Sequence, residues 1–135
     1  MTENFNFISL TFFILSVLFI YLSKHVIDTR RKFKVRYGDG GHRELQAAIR
    51  AHGNFCEYTP FAAILLILFA QQETNQWILA ILCLLLIAGR ITHAYGIIKL
   101  EAAEPPNFKA RVIGMYLTFA VLIISAIFLL ILSFM

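Results

Sequence analysis

The chain has 135 residues, of which 59% are hydrophobic, and a formal net charge of +4 at pH 7. Its mean hydropathy of +0.74 is far too high for a soluble domain of this length, so the composition predicts an integral membrane protein. Nucleic-acid binding is disfavoured because no soluble basic domain presents the charges. The two cysteines do not suggest a disulfide framework, because Cys83 falls in mid-span and Cys56 near the reducing, cytoplasmic end of a span, and neither has the spacing of a metal site.

Four apolar segments are long enough to cross the hydrocarbon layer, which takes about 20 helical residues. They are roughly Phe5 to Ser23, Phe55 to Gln72, Trp77 to Ile98 and Val112 to Phe134. The first should remain as an anchor, because its leading residues lack the positive charge of a signal peptide. Since little is left for loops, we predict one all-α domain, residues 1–135, folded as a four-helix transmembrane bundle.

The positive charges predict how these spans are oriented. All twelve Lys and Arg residues lie in or beside the segment between the first two spans, or toward the segment between the last two. By the positive-inside rule, both longer loops are cytoplasmic and both termini lie outside. The charges suit anionic lipid headgroups or an anionic substrate, and lipids explain most of the cluster from Arg30 to Arg36.

The first two helices are expected to extend beyond the membrane. The first should continue through residues 24–36, which contain neither Gly nor Pro, and stop at the glycine-rich turn of residues 37–41. The second should begin near His42 and run to about Gln72. Pro60 within it predicts a bend or a loosened turn, because proline lacks the amide donor of a helical residue.

The third helix should begin near Trp77, after a short polar turn of residues 71–76. Arg90 follows thirteen uninterrupted apolar residues, so a helical rise of about 1.5 Å per residue puts it well inside the cytoplasmic half of the membrane. The segment from Glu101 to Asn107 contains two adjacent prolines and should form a rigid connection to the last helix.

The second helix carries polar side chains into an apolar setting. At about 100° per residue, they fall on one narrow face with one aromatic group at its edge. The face comprises Arg50, Asn54, Glu57 and Phe61, with Tyr58 at the edge. Because a bilayer makes ionisable groups costly, such residues usually have a function, and this face predicts a site for a charged ligand.

Two further polar groups are expected at about the same depth. Arg90 and His93 are three residues apart and share a face of the third helix, and Arg30 and Arg31 lie toward the end of the first helix. Arginines bind carboxylates through two hydrogen bonds, whereas the carboxylate of Glu57 can hold an ammonium group. The three groups together would fit a zwitterionic peptide with several carboxylates.

A structural role is the alternative for each residue alone. Glu57 could pair with Arg50 or with Arg90 to hold helices together, and Asn54 could be a polar helix-packing residue. For these residues the sequence leaves both interpretations open.

The remaining polar residues of the two helices are less informative. His52 and Cys56 point away from the Arg50 face, which favours packing or interface roles over catalysis. His93 could bond a ligand, carry a proton or be a satisfied core group, and its spacing does not decide between these.

A family resemblance is carried by motifs on the first three helices. They are Val26-Ile27 before Arg30-Arg31, Arg50-Ala51-His52, Asn54, Glu57-Tyr58, Pro60-Phe61, Gly89-Arg90, His93 and Gly96. With these motifs the chain resembles the MAPEG family, the membrane-associated proteins in eicosanoid and glutathione metabolism. The similarity covers nearly the whole chain, and the compact stretch of residues 37–42 is similar to the prokaryotic branch.

The resemblance implies a homotrimer that binds glutathione between subunits near the cytoplasmic interface. The positions that match glutathione-binding residues are Arg50, Asn54, Glu57, Tyr58 and Arg90. His93 matches a polar position, and Arg30 and Arg31 match a basic pair near the second substrate. The implied partners are therefore glutathione as co-substrate, a hydrophobic small molecule or lipid, membrane lipids and further copies of the chain.

The family mechanism implies that an arginine stabilises the thiolate of glutathione. In the eicosanoid synthases this arginine comes about eight residues after the glycine that matches Gly96, where this chain has Glu104. The expected catalytic residue is therefore Arg111, or less favourably Arg90. Ile97 replaces a tyrosine that some members use to contact glutathione.

Two functions from different classes follow. The leading one is a glutathione-dependent transferase or peroxidase of the bacterial inner membrane that acts on lipophilic electrophiles. The alternative is a non-catalytic protein of the same fold that binds lipid or glutathione. A proton-coupled exporter of four short spans is disfavoured, because Glu57 lies near one interface and the first span has no acid after Glu3.

Overall fold

The computed structural model describes residues 2–72, 75–101 and 103–134, with side chains from residue 6 onward. This part of the chain forms four α-helices. They are α1 (Thr2–Phe33), α2 (Arg43–Ala70), α3 (Gln76–Tyr95) and α4 (Lys109–Leu132). Each is long and apolar enough to cross a membrane. The predicted all-α bundle of four transmembrane helices is therefore confirmed.

Helix α1 ends three residues earlier than its sequence predicts. Lys34 adopts a left-handed conformation with a φ of 54°, and the N–H of Val35 then donates to the carbonyl of Arg30 at 3.1 Å. This pattern is a Schellman cap, which usually has glycine at the left-handed position. Because lysine occupies that position here, the sequence carries no signal that the helix ends at Phe33.

The glycine-rich turn and the start of α2 agree with the sequence prediction. Gly38, Gly40 and Gly41 have φ values of 63°, 58° and 77°, a region that side chains disfavour. His42 then occupies the N-cap position of α2. Its ring stacks on that of Phe33 with centroids 4.1 Å apart, which brings the ends of α1 and α2 together.

The core of the bundle lies where α2 and α3 pack against α1 and α4. It includes the buried residues Leu22, Leu45, Ala62, Leu66, Phe69, Leu79, Leu82, Leu86 and Val121. Helix α2 stays helical through Pro60. Large apolar side chains such as Phe13, Ile20 and Ile123 remain exposed on the outer faces, as expected for helices that face lipid.

Helices α3 and α4 approach each other closely at glycines. A Cβ added at Gly114 would lie 2.5 Å from the backbone nitrogen of His93 and 2.6 Å from the carbonyl oxygen of Gly89. Side chains at these positions would force the helices apart, which is why small residues are common where membrane helices cross. The approach brings the backbone of α4 within reach of His93.

Helix α3 continues into a π-helical turn, Gly96–Leu100. The N–H of Glu101 donates to the carbonyl of Gly96 at 2.8 Å, five residues back along the chain. Such a turn inserts one residue relative to an α-helix and often lies at functional sites. The sequence predicts an ordinary helix to Ile98, so the direction in which Glu101 points could not be predicted from the sequence.

We expect Gly114→Ala to lower the free energy of unfolding by about 2 kcal/mol, because its methyl group would overlap backbone atoms of α3. Gly53→Ala is the matched control, since a Cβ there meets nothing within 4 Å and alanine favours a helix by about 1 kcal/mol. Thermal unfolding in detergent measures both. A Gly114→Ala protein as stable as the control would contradict the close helix approach.

Candidate functional site

Arg90 lies in the interior of the bundle with only 2% of its surface exposed. Its Nη1 donates to Oδ1 of Asn54 at 3.1 Å, and its Nη2 lies 3.6 Å from Sδ of Met115. The guanidinium carbon is 5.9 Å from the centre of the Tyr58 ring, a cation–π contact. Within the described residues no carboxylate pairs with it, so the structure shows no ion pair between Arg90 and Glu57.

His93 is buried beside Arg90 and faces the start of α4. Its Nδ1 lies 2.9 Å from the carbonyl oxygen of Arg111. Since a carbonyl only accepts hydrogen bonds, Nδ1 must be the protonated nitrogen. Its Nε2 is buried and has no hydrogen-bond partner among the described residues. His93 therefore fixes α4 to α3 through one nitrogen.

Arg111 is paired with Glu101, the residue that follows the π-helical turn. Its Nη1 donates to both carboxylate oxygens, at 3.0 and 2.9 Å. The two side chains are 34% and 29% exposed, so the pair is accessible from outside the bundle. Glu104 is exposed, with its Oε1 4.0 Å from Nη1 of Arg43. Of the two residues expected to stabilise a thiolate, Arg111 is accessible and already paired, whereas Arg90 is buried.

Two open cavities flank Arg50. The basic cavity has a volume of about 350 Å³ and is lined by Arg43, Gln46, Arg50, Ile97, Glu101 and Arg111, among others. The mixed-charge cavity has a volume of about 320 Å³, and its lining includes Gly38, Asp39, Gln46, Arg50 and Glu57. Arg50 and Gln46 contribute to both cavities, so these two side chains lie between the basic and the mixed-charge cavity.

The polar face predicted for α2 is divided between the interior and the surface. Arg50 and Glu57 are exposed, whereas Asn54 is buried and Tyr58 is half-buried. The division arises because Asn54 and Tyr58 lie on the side of the face nearest α3. There Arg90 donates a hydrogen bond to Asn54 and lies over the ring of Tyr58. No ion pair joins Arg50 to Glu57 in the described part of the chain.

Of the two arginines near the end of α1, Arg30 contacts the loop that lines the mixed-charge cavity. Nη1 of Arg30 donates to the carbonyl oxygen of Gly38 at 2.9 Å and to that of Arg36 at 3.3 Å. Gly38 lines the mixed-charge cavity, so Arg30 holds one wall of it in place. Arg31 is exposed on the surface of α1.

His52 and Cys56 lie between α1 and α2, away from these cavities. Nε2 of His52 is 3.0 Å from Oγ of Ser23 and 3.8 Å from Sγ of Cys56, and its ring lies 5.3 Å from that of Phe19. These contacts join α1 to α2. No group of three or more potential metal ligands occurs within the described residues.

Sequence reasoning missed Glu101 as a residue of this region. It stands ten residues before Arg111 with a proline-containing connection between them, a spacing that permits the two ends of the connection to meet. That signal is weak, because the π-helical turn sets the direction in which Glu101 points. Arg43 and Gln46 were missed for a simpler reason. They lie at the start of α2, before its apolar segment, where polar residues are ordinary.

Comparison with known proteins decides the family. The model of the MAPEG family matches residues 8–131, a stretch that begins in α1 and ends in α4. The chain belongs to the MAPEG family. It is a multi-pass membrane protein, and the resemblance recognised from the sequence motifs is confirmed.

Two relatives share part of this sequence. They are the inner membrane protein YecN of Escherichia coli strain K12 and the protein of the same name from strain O6:H1. Each is 41% identical to this MAPEG protein over 81 residues, which is 60% of this chain and 62% of the relative. The match therefore spans less than two thirds of the relatives' length. No solved structure gives a significant match.

We expect Asn54→Ala to reduce the free energy of unfolding by about 2 kcal/mol, because it leaves the buried Arg90 without its oxygen acceptor. Gln46→Ala, an exposed position of the same helix, is the control and should stay within about 0.5 kcal/mol of the wild type. Thermal unfolding without ligand measures both. Equal stability of the two variants would show that the Arg90 to Asn54 hydrogen bond contributes little.

Proposed function

We propose that this MAPEG protein is a membrane-bound glutathione-dependent transferase or peroxidase that acts on lipophilic electrophiles. The observation that carries the proposal is that Arg50 lines two cavities. In the basic cavity it lies with Arg43 and Arg111, and in the mixed-charge cavity it lies with Glu57. Opposite charges on the two sides of one residue suit a zwitterionic peptide. Family membership supports glutathione as that peptide.

The chemistry of the two cavities suggests how the peptide would lie. Arginine binds a carboxylate through two parallel hydrogen bonds, so the carboxylates of glutathione would bind Arg50 and its neighbours in the basic cavity. The ammonium group would bind Glu57, whose exposed carboxylate makes no ion pair among the described residues. Asn54, Tyr58, Arg90 and His93 would then support this wall of the site from within the bundle.

A homotrimer would complete such a site. The exposed face of α2 that bears Arg50 and Glu57 continues along the helix with Phe61, Ile64 and Leu68, all of which are exposed. Their spacing of three and four residues gives one apolar stripe. A neighbouring copy that packs on this stripe would cover the site, with Arg30 and Arg31 near the second substrate.

In the proposed reaction, the thiol of glutathione loses its proton and the thiolate attacks the electrophile. In conjugation, a carbon–sulfur bond forms and the leaving group departs with its electron pair. In the peroxidase reaction, two glutathiones are oxidised to the disulfide, while the hydroperoxide is reduced to an alcohol and water. Arg111 would stabilise the thiolate, and it is better placed than Arg90 because its side chain is accessible.

The second candidate is a non-catalytic protein that binds lipid or glutathione. The observation in its favour is that the two cations expected to activate a thiol are both engaged. Arg111 binds Glu101, and Arg90 is buried against Asn54. A protein that binds glutathione without lowering the pKa of its thiol would have no need of a free arginine.

We expect purified protein to bind glutathione and to conjugate it to 1-chloro-2,4-dinitrobenzene. Arg50→Ala and Glu57→Ala should each weaken binding by about 10-fold or more, since a hydrogen bond to a charged group contributes about 1.5 to 3 kcal/mol. Titration calorimetry measures the binding, and absorbance measures the conjugation. Lys99→Ala, which removes an exposed cation elsewhere, is the control and should change neither.

Two other outcomes have definite meanings. Wild-type protein that binds glutathione but converts neither electrophiles nor hydroperoxides supports the non-catalytic candidate. Wild-type protein that neither binds nor converts glutathione ends both glutathione-based proposals.

We further propose that the protein lies in a bacterial inner membrane with both termini outside and both longer loops in the cytoplasm. The names of the two relatives support the membrane, and the basic residues beside the longer loops support the orientation. Alkaline phosphatase fused to the C-terminus should therefore be active, and green fluorescent protein at the same position should be dark. The reverse pattern would overturn the orientation.

A further inference from the structure

The guanidinium of Arg111 is occupied by a carboxylate of the same chain. Both oxygens of Glu101 accept from its Nη1, at 3.0 and 2.9 Å. Both side chains line the basic cavity together with Arg43 and Arg50. An external carboxylate that approached Nη1 of Arg111 from the basic cavity would compete with Glu101 for this nitrogen, so Glu101 stands where a ligand anion would bind.

The surroundings allow Glu101 to be displaced. The ion pair is about one-third exposed, and such pairs are weak because water screens them. Arg43 and Arg50 line the same cavity, so a displaced carboxylate can turn toward another cation instead of losing all charge compensation. The three arginines and one glutamate that line this cavity carry a formal charge of +2. This excess positive charge favours the entry of a further anion.

We infer that Glu101 is an internal competitor for Arg111, which releases the arginine when an anionic group of the ligand enters the basic cavity. This inference rests on the proposed function for the identity of the ligand, glutathione. The group that displaces Glu101 is a carboxylate or the thiolate of that peptide. Glu101 thereby holds Arg111 neutralised while the site is empty, and it lowers the affinity of the site for anions.

Glu101→Gln tests the competition, because the amide keeps the shape of the side chain and removes its charge. The variant should bind glutathione about 3- to 10-fold more tightly than the wild type in titration calorimetry, the change expected for removing a partly exposed competing charge. The double variant Glu101→Gln/Arg111→Ala should lose this gain. Glu44→Gln is the matched control and should bind as the wild type does, because Glu44 is an exposed acid that pairs with Lys32 and lines neither cavity.

S-methylglutathione separates the two possible displacing groups, because it keeps the carboxylates and cannot form a thiolate. A gain that persists with this ligand identifies a carboxylate. A gain found only with glutathione identifies the thiolate, and the ultraviolet absorbance of the thiolate should then be stronger in the Glu101→Gln complex.

The results that overturn the inference differ from those that overturn the proposed function. If the wild type binds glutathione and Glu101→Gln binds it equally or more weakly, Glu101 is not a competitor, and the function stands. If neither protein binds glutathione, both fail. Glu101→Ala provides a second variant should the amide protein be unstable; if neither variant folds, Glu101 serves the fold and the competitor role is rejected.

Discussion

The burial of Arg90 is the constraint on which the polar half of this bundle depends. A guanidinium enclosed by membrane helices keeps its charge only if neighbouring groups replace the water it loses. Asn54 supplies an oxygen from α2, Tyr58 adds the face of its ring, and Met115 contributes a sulfur from α4. The arginine therefore joins three helices at one level through its two terminal nitrogens, while its buried Nε has no hydrogen-bond partner among the described residues.

This arrangement determines which polar groups remain available to a ligand. Asn54 is turned inward by Arg90, while Arg50 and Glu57 on the same face of α2 stay exposed. Close contact of α3 and α4 at Gly114 then brings the backbone of Arg111 against His93. As a consequence, the side chain of Arg111 lies over the same cavity as Arg50. The buried residues position the site, and the exposed residues are available to contact a ligand.

Much of the fold could be predicted because it depends on local properties. Hydropathy and length identify the four spans, and the glycines at residues 37–41 mark the turn before α2. The same reasoning failed where the backbone departs from local preference. Lys34 ends α1 in a conformation that favours glycine, and the π-helical turn changes the direction of Glu101 without any unusual residue in Gly96–Leu100. In both places the residue types present do not mark the departure, so local sequence could not predict it.

The membrane environment, the four helices and the family could be inferred from the amino-acid sequence, because they follow from composition, periodicity and motif spacing. The sequence also identified the residues of the polar groups on α2 and α3. Which charged side chains are buried or paired, and which are accessible, depends on how the helices pack. The angle of a residue around its own helix does not specify the helix it faces, so the pairing of Arg90 with Asn54 and of Arg111 with Glu101 had to come from the packing. The first pairing lies in the interior of the bundle, whereas the second lines the accessible basic cavity beside Arg50.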